Sequence, residues 1–216
     1  AAMEEVFLIS RELEAALKKK VKIVCAQGGL KGQEVTIILW SLATVGAAME
    51  EDLLEALQMH VVGTTPLLSP QSVSNCLWAL ATLGLAEHQL HPRLLPQLEE
   101  RVLQCIERFK PQAVANTMWA MAYLGHMPRG DLFAAVEAQI LATVDEYPPI
   151  AIANVLWSIA TLQLSPSPEL MAALERRALK TLPHFHPQTI SNILWALATM
   201  SSSSSRAREE GGWEVD

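Results

Sequence analysis

Cysteine is scarce in this 216-residue chain, and basic charge is outnumbered. The three cysteines, Cys25, Cys76 and Cys105, are odd in number and show no CxxC spacing, which argues against a disulfide framework or a zinc ribbon. Lys and Arg together number 16 against 23 Asp and Glu, giving a net charge of −7. No overall field therefore draws the chain to nucleic acid or anionic membrane, and any such binding must come from a local surface. Membrane-length apolar runs are lacking too. Stretches such as Pro148 to Pro168 carry no formal charge, but each apolar helical pattern runs about 13 residues, roughly 20 Å of helix against the ~30 Å of a bilayer core. No membrane insertion is expected. The first twelve residues hold three acidic groups and lack the basic, apolar and small-residue order of a signal peptide, and no transit peptide is visible.

Converging reactive groups are also missing. The six histidines are scattered, with His184 and His186 as the one close pair, and GGLKG at Gly28 lacks the GKS or GKT ending of a phosphate loop. No catalytic residue, metal ligand, cofactor or small-molecule substrate is expected, and the chain does not read as an enzyme.

What the sequence does contain is a repeat. Trp40, Trp78, Trp119, Trp157 and Trp195 are separated by 38, 41, 38 and 38 residues, and their surroundings match as well. The segments read QEVTIILWSLATVG, QSVSNCLWALATLG, QAVANTMWAMAYLG, IAIANVLWSIATLQ and QTISNILWALATMS. Pro70, Pro111, Pro149 and Pro187 stand before four of them, and Gly46, Gly84 and Gly125 follow three, the proline-first and glycine-last order of a helix. Between these lies a second apolar pattern in steps of four, for example Leu94, Leu98 and Val102. Leu57, Leu98, Val136 and Leu174 each fall 21 residues before the next tryptophan, so the three extra residues of the long interval belong to the turn Leu85 to His91.

The expected fold is therefore all-α, an α-solenoid of about five 38-residue two-helix units over residues 33–200. Residues 1–32 read as a partial or degenerate helical unit, and residues 201–216 as a Ser-rich disordered tail. No capping repeat is recognisable at either end, so the array is expected to be an excerpt of a longer one or to pack its ends against something else.

Stepping about 100° per residue around the tryptophan helix gathers Val73, Leu77, Leu80 and Ala81 into one arc, read as the core, and the tryptophans are assigned to the core as well. A second arc holds the residues six, three and two before each tryptophan and the one after it. It combines a constant Asn, a small residue and two variable positions, the arrangement of a surface that reads one ligand unit per repeat. The same Asn ladder could instead bond the neighbouring repeat.

Thirty-eight-residue units built around PQxxxNxxWALATLG resemble the octotricopeptide repeats of organellar RNA-binding proteins, and are related to the tryptophan repeats of FAST-kinase-like and RAP-associated proteins. The resemblance covers residues 32–200 and rests on Pro70, Asn75, Trp78, Ala79, Leu80, Ala81 and Gly84 recurring together. It implies a helical-repeat protein of mitochondrial or chloroplast RNA processing, stability or translation that contacts single-stranded RNA at about one nucleotide per repeat. Carried onto this chain, the RNA contacts would be Ser72, Asn75, Ala113, Asn116, Thr117, Ala151, Asn154, Thr189 and Asn192. Phosphate binding is the weak point, because residues 33–200 hold 8 basic against 15 acidic side chains and the tryptophan helices hold no Lys or Arg. The rival reading is a scaffold that binds other proteins, in the manner of armadillo arrays or within an organellar ribosome or other assembly.

Overall fold

Ten α-helices, each pair joined by a short turn, alternate between two layers in a computed structural model that describes residues 10–210. The tryptophan helices are α2 (Gly32–Thr44), α4 (Pro70–Thr82), α6 (Pro111–Leu124), α8 (Pro149–Thr161) and α10 (Pro187–Glu210). The second layer is α1 (Arg11–Ala26), α3 (Glu51–Thr64), α5 (Leu94–Cys105), α7 (Gly130–Thr143) and α9 (Pro168–Thr181). No strand occurs among the described residues. No helix there is long and apolar enough to cross a membrane.

The helix boundaries follow from local chemistry. Proline occupies the first turn of α4, α6, α8 and α9, where its missing N–H breaks no bond, and the Ser69 and Ser167 side chains accept from the N–H groups of Ser72 and Leu170. Six residues after the tryptophan the chain must turn left-handed to leave the helix. Gly84 and Gly125 do so at φ +72°, and Gln163 takes the same position in the fourth unit at φ +52°. In the fifth unit this position is Ser201, and no left-handed residue stops the helix. As a result α10 continues through the serines to Glu210, where the composition suggested a disordered tail. Residues 211–216, also assigned to that tail, lie outside the described residues.

The core lies between the layers. Val73, Leu77 and Leu80 of α4 are fully buried, as are their equivalents in α6 and α8, and Leu57, Leu98, Val136 and Leu174 meet them from the second layer. Cys76 is enclosed so completely that burial pushes its thiol up to about 12, which keeps it protonated and unreactive.

Two polar ladders tie each unit to the next. Eighteen residues before each later tryptophan, a side chain donates to the carbonyl ten residues before the preceding tryptophan: His60 Nε2 to Leu30 (2.7 Å), Arg101 Nε to Leu68 (2.8 Å), Gln139 Nε2 to Phe109 (2.9 Å) and Arg177 Nε to Tyr147 (2.9 Å). Two residues earlier on the same helices, Gln58, Glu99 and Glu137 accept the backbone N–H groups of His91, Arg129 and Ser167 at the start of the following second-layer helix. These bonds satisfy helix-end groups that would otherwise be unpaired. The three-residue insertion forms the 3-10 turn Glu87–Gln89, and Glu87 reaches forward to His126 (Oε1 to Nδ1, 3.0 Å). On its other side, His126 Nε2 lies 3.5 Å from Glu99. The carboxylates of Glu99 and, second, Glu87 hold the imidazolium above the ordinary histidine range against the opposing effect of burial.

Candidate nucleic-acid interface

The layers are unequally spaced: consecutive tryptophan helices pack much closer together than most of the second-layer helices do. A stack whose one layer is tighter curves toward it, so the tryptophan helices line the inside. The cause is side-chain size. One flank of each tryptophan helix carries small residues six before and one after the tryptophan, such as Ser72 and Ala79 or Ala113 and Ala120, and it faces the preceding tryptophan helix. Ser74 Oγ of α4 donates to the Ala113 carbonyl of α6 across this contact at 3.2 Å. The end helices serve as internal controls. On α2, with no preceding tryptophan helix among the described residues, Ser41 is exposed, whereas the equivalent Ala79, Ala120 and Ser158 are fully buried.

That geometry divides the sequence-derived contact residues. Ser72, Ala113, Thr117, Ala151 and Thr189 are buried in the joints between tryptophan helices, none more than 8% exposed, and so they cannot meet a ligand on the inner face. The two positions six and two before the tryptophan resemble a reading surface in the sequence because they are small or variable. They are small because the helices nearly touch there, and variable because a range of side chains fills the joint. Asn75, Asn116, Asn154 and Asn192, by contrast, lie on the inner surface and are half-buried.

The surface itself is a single stripe. Positions seven and three before the tryptophan, the tryptophan, and the fourth after it are spaced by four, three and four, which keeps them on one helix face. In the second unit they are Gln71, Asn75, Trp78 and Thr82; in the third, Gln112, Asn116, Trp119 and Tyr123; in the fifth, Gln188, Asn192, Trp195 and Thr199. The first unit substitutes Ile37 for Asn, and the fourth Ile150 for Gln. The tryptophans are thus only partly core: Trp78 and Trp119 pack against it with the rest of their rings open, Trp157 is likewise partly buried, and Trp40 and Trp195, on the first and last tryptophan helices, are 42% and 46% exposed. Their rings meet across the repeats. Trp40 and Trp78 have centroids 6.3 Å apart, Trp157 and Trp195 6.0 Å, and Trp119 stacks on Tyr123 within its own helix at 5.3 Å.

The amides on this stripe are available. Gln71 Nε2 donates to Asn75 Oδ1 at 3.2 Å, and among the described residues no side-chain hydrogen bond to protein is formed by Asn116, Asn154 or Asn192. The alternative role for the Asn ladder, bonding the neighbouring repeat, is not what these side chains do. Cations are absent from the stripe. Of the basic residues elsewhere in the array, Arg177 is committed to the Tyr147 carbonyl, Arg129 pairs with Glu99, Glu100 and Asp131, and Lys180 lies 3.7 Å from Asp145, while Lys110, exposed at the N-cap of α6, is the cation nearest in sequence to the stripe residue Gln112. No cluster of three or more potential metal ligands occurs among the described residues.

The sequence signal for this face was the pair of polar positions in phase with the tryptophan, Gln seven before and Thr or Tyr four after. A helix that buries its tryptophan has no reason to repeat polar side chains one and two turns from it.

No curated protein matches the chain. A family model does: that of the RNA-editing substrate-binding complex 6 protein, over residues 35–205. The matched span takes in most of every tryptophan helix and all of the second-layer helices α3 to α9, which is the greater part of the chain and carries the inner stripe apart from Gln33. This all-helical repeat array belongs to the RNA-editing substrate-binding complex 6 family.

Proposed function

We propose that the array binds single-stranded RNA along its inner stripe, at about one nucleotide per repeat, as a non-catalytic component of an RNA-editing assembly. The observation that carries this reading is the row of partly exposed tryptophans interleaved, on the inside of the stack, with amides of which Asn116, Asn154 and Asn192 make no side-chain hydrogen bond to protein. Aromatic faces stack on nucleobases, each such contact contributing about 1–3 kcal/mol, and a free amide offers both a donor and an acceptor to a base edge. Packed helices lie about 8–10 Å apart, far more than the ~3.4 Å rise of a stacked nucleotide. Bases seated on successive repeats must therefore be splayed, which an unpaired strand allows and a duplex does not. Membership of a family named for an RNA-editing substrate-binding complex supports RNA as the ligand and further proteins as partners, and of the two organelles it favours the mitochondrion. The octotricopeptide-like pattern of Pro, Asn and Trp agrees with the same role.

The stripe has no Lys or Arg, so affinity rests on stacking and hydrogen bonds. Each neutralised phosphate on a single strand adds about 0.7 to the slope of log affinity against log salt, and a slope below about 2 is expected. The same lack of cations is what favours the rival ligand, a basic protein segment held by the Asn ladder. Fluorescence anisotropy with an unstructured labelled RNA, titrated with salt, decides. Binding with a shallow slope that Asn116→Ala and Trp157→Ala weaken supports the proposal. Failure to bind RNA at low salt, with retention of a polylysine or polyarginine peptide, replaces it by the protein-binding reading.

A further inference from the structure

The inner stripe is nearly the same in every repeat, while in the three central repeats the variable positions six and two before the tryptophan are out of reach. Trp recurs five times; three units carry Gln, Asn and Trp together, and the exceptions are single apolar replacements at Ile37 and Ile150. The position two before the tryptophan, which varies between repeats, holds Cys76, Thr117 and Val155 in the three central repeats, all at most 1% exposed within the helix joints, and Ile38 and Ile193, partly buried, in the end repeats. A base-reading code needs different groups presented to different nucleotides. In its central repeats this fold presents mostly similar groups and hides most of the different ones.

Resting on the RNA reading above, we infer that the array is a sequence-tolerant binder of unpaired RNA, holding any stretch of about five nucleotides with little regard to base. An indole stacks on every base, since every base has a π face. Carboxamides carry both hydrogen-bond senses and, unpinned by protein partners at Asn116, Asn154 and Asn192, rotate to suit purine or pyrimidine edges. The remaining preference comes from stacking strength, and the main discrimination is against paired strands, whose bases cannot splay.

Equilibrium binding of the full chain to 12-nucleotide rA, rC, rU and mixed-sequence strands, and to a duplex of the mixed strand, tests the inference. Dissociation constants for the single strands within about tenfold of one another, with the duplex bound at least tenfold more weakly, are expected. Ile37→Asn, which completes the stripe in the first repeat, should tighten all single strands alike, and Thr117→Val, which keeps the buried volume, should leave their ranking unchanged. One strand bound more than about thirtyfold tighter than the rest, or a ranking altered by Thr117→Val, overturns the inference while leaving RNA binding intact. Absence of binding to every strand overturns both.

Discussion

Trp195→Ala separates a ligand-facing tryptophan from a structural one. An indole can bury up to about 250 Å², and Trp195 is 46% exposed, so roughly half of that area is covered, with the Trp157 ring 6.0 Å away. Truncation removes on the order of 100 Å² of buried apolar contact, worth about 2.5 kcal/mol at ~25 cal/mol per Å². Residual burial in the unfolded chain lowers this to about 1.5–2 kcal/mol. No cavity term is added, because the vacated space opens to solvent. Leu156, 4% exposed on the adjacent helix, is the control: its replacement by Ala leaves an enclosed hole and should cost about 2.7–5 kcal/mol. Binding should move the opposite way. Loss of one stacking platform weakens RNA affinity by about 1–3 kcal/mol, roughly 5- to 150-fold, whereas the folded Leu156→Ala protein keeps its affinity. Urea midpoints with anisotropy on the same preparations measure both. If Trp195→Ala is as destabilising as Leu156→Ala and binds RNA like the parent, the tryptophan row is structural and the proposed interface is wrong.

Three further outcomes follow from the junctions. The pKa of His126 is raised in the fold by Glu99 and then Glu87, so its contribution to stability is fully present below the unfolded value near 6.5 and is lost as pH rises through the folded value; His126→Gln should remove this component from a plot of urea midpoint against pH. Arg177→Ala deletes the 2.9 Å bond to the Tyr147 carbonyl and should cost about 1.5–3 kcal/mol by denaturant titration, while the salt slope of RNA binding stays unchanged, since this cation is committed to the backbone. Gln163→Gly should raise the thermal midpoint, because the residue holds φ +52° at the place where Gly84 and Gly125 hold +72°; relief of about 0.5–1 kcal/mol is expected.

The architecture was legible because the spacing of the tryptophans, the prolines before them and the Leu or Val 21 residues ahead all repeat in phase, and each of these signals is local. The insertion, too, could be placed in the turn that became Glu87–Gln89. The site was only half legible. A helical wheel separates faces but does not say what covers each one. Val73, Leu77 and Leu80 share one arc of the wheel and are buried, yet the flank with Ala113 and Thr117 looks the same on the wheel whether it meets solvent or another helix. Only the stacking of α6 on α4 decides that, and it buries those residues while leaving Trp119 partly open. Tryptophan's size argues for burial in a single helix; in a stack, the ring spends part of its surface on the next ring and shows the rest. The extent of α10 was missed for a different reason: serines suggest disorder by composition, but what ends these helices is a left-handed residue, and Ser201 does not supply one.

The small residues in the joints also set a length. Each tryptophan sits at a distance from its neighbour fixed by how closely the helices approach at positions such as Ala79, Ala120 and Ala196, all fully buried. A methyl added at one of these positions pushes two helices apart and lengthens one step of the proposed track without changing any group on the inner stripe. The spacing of the stripe is therefore set separately from its chemistry, by residues that lie outside the proposed interface.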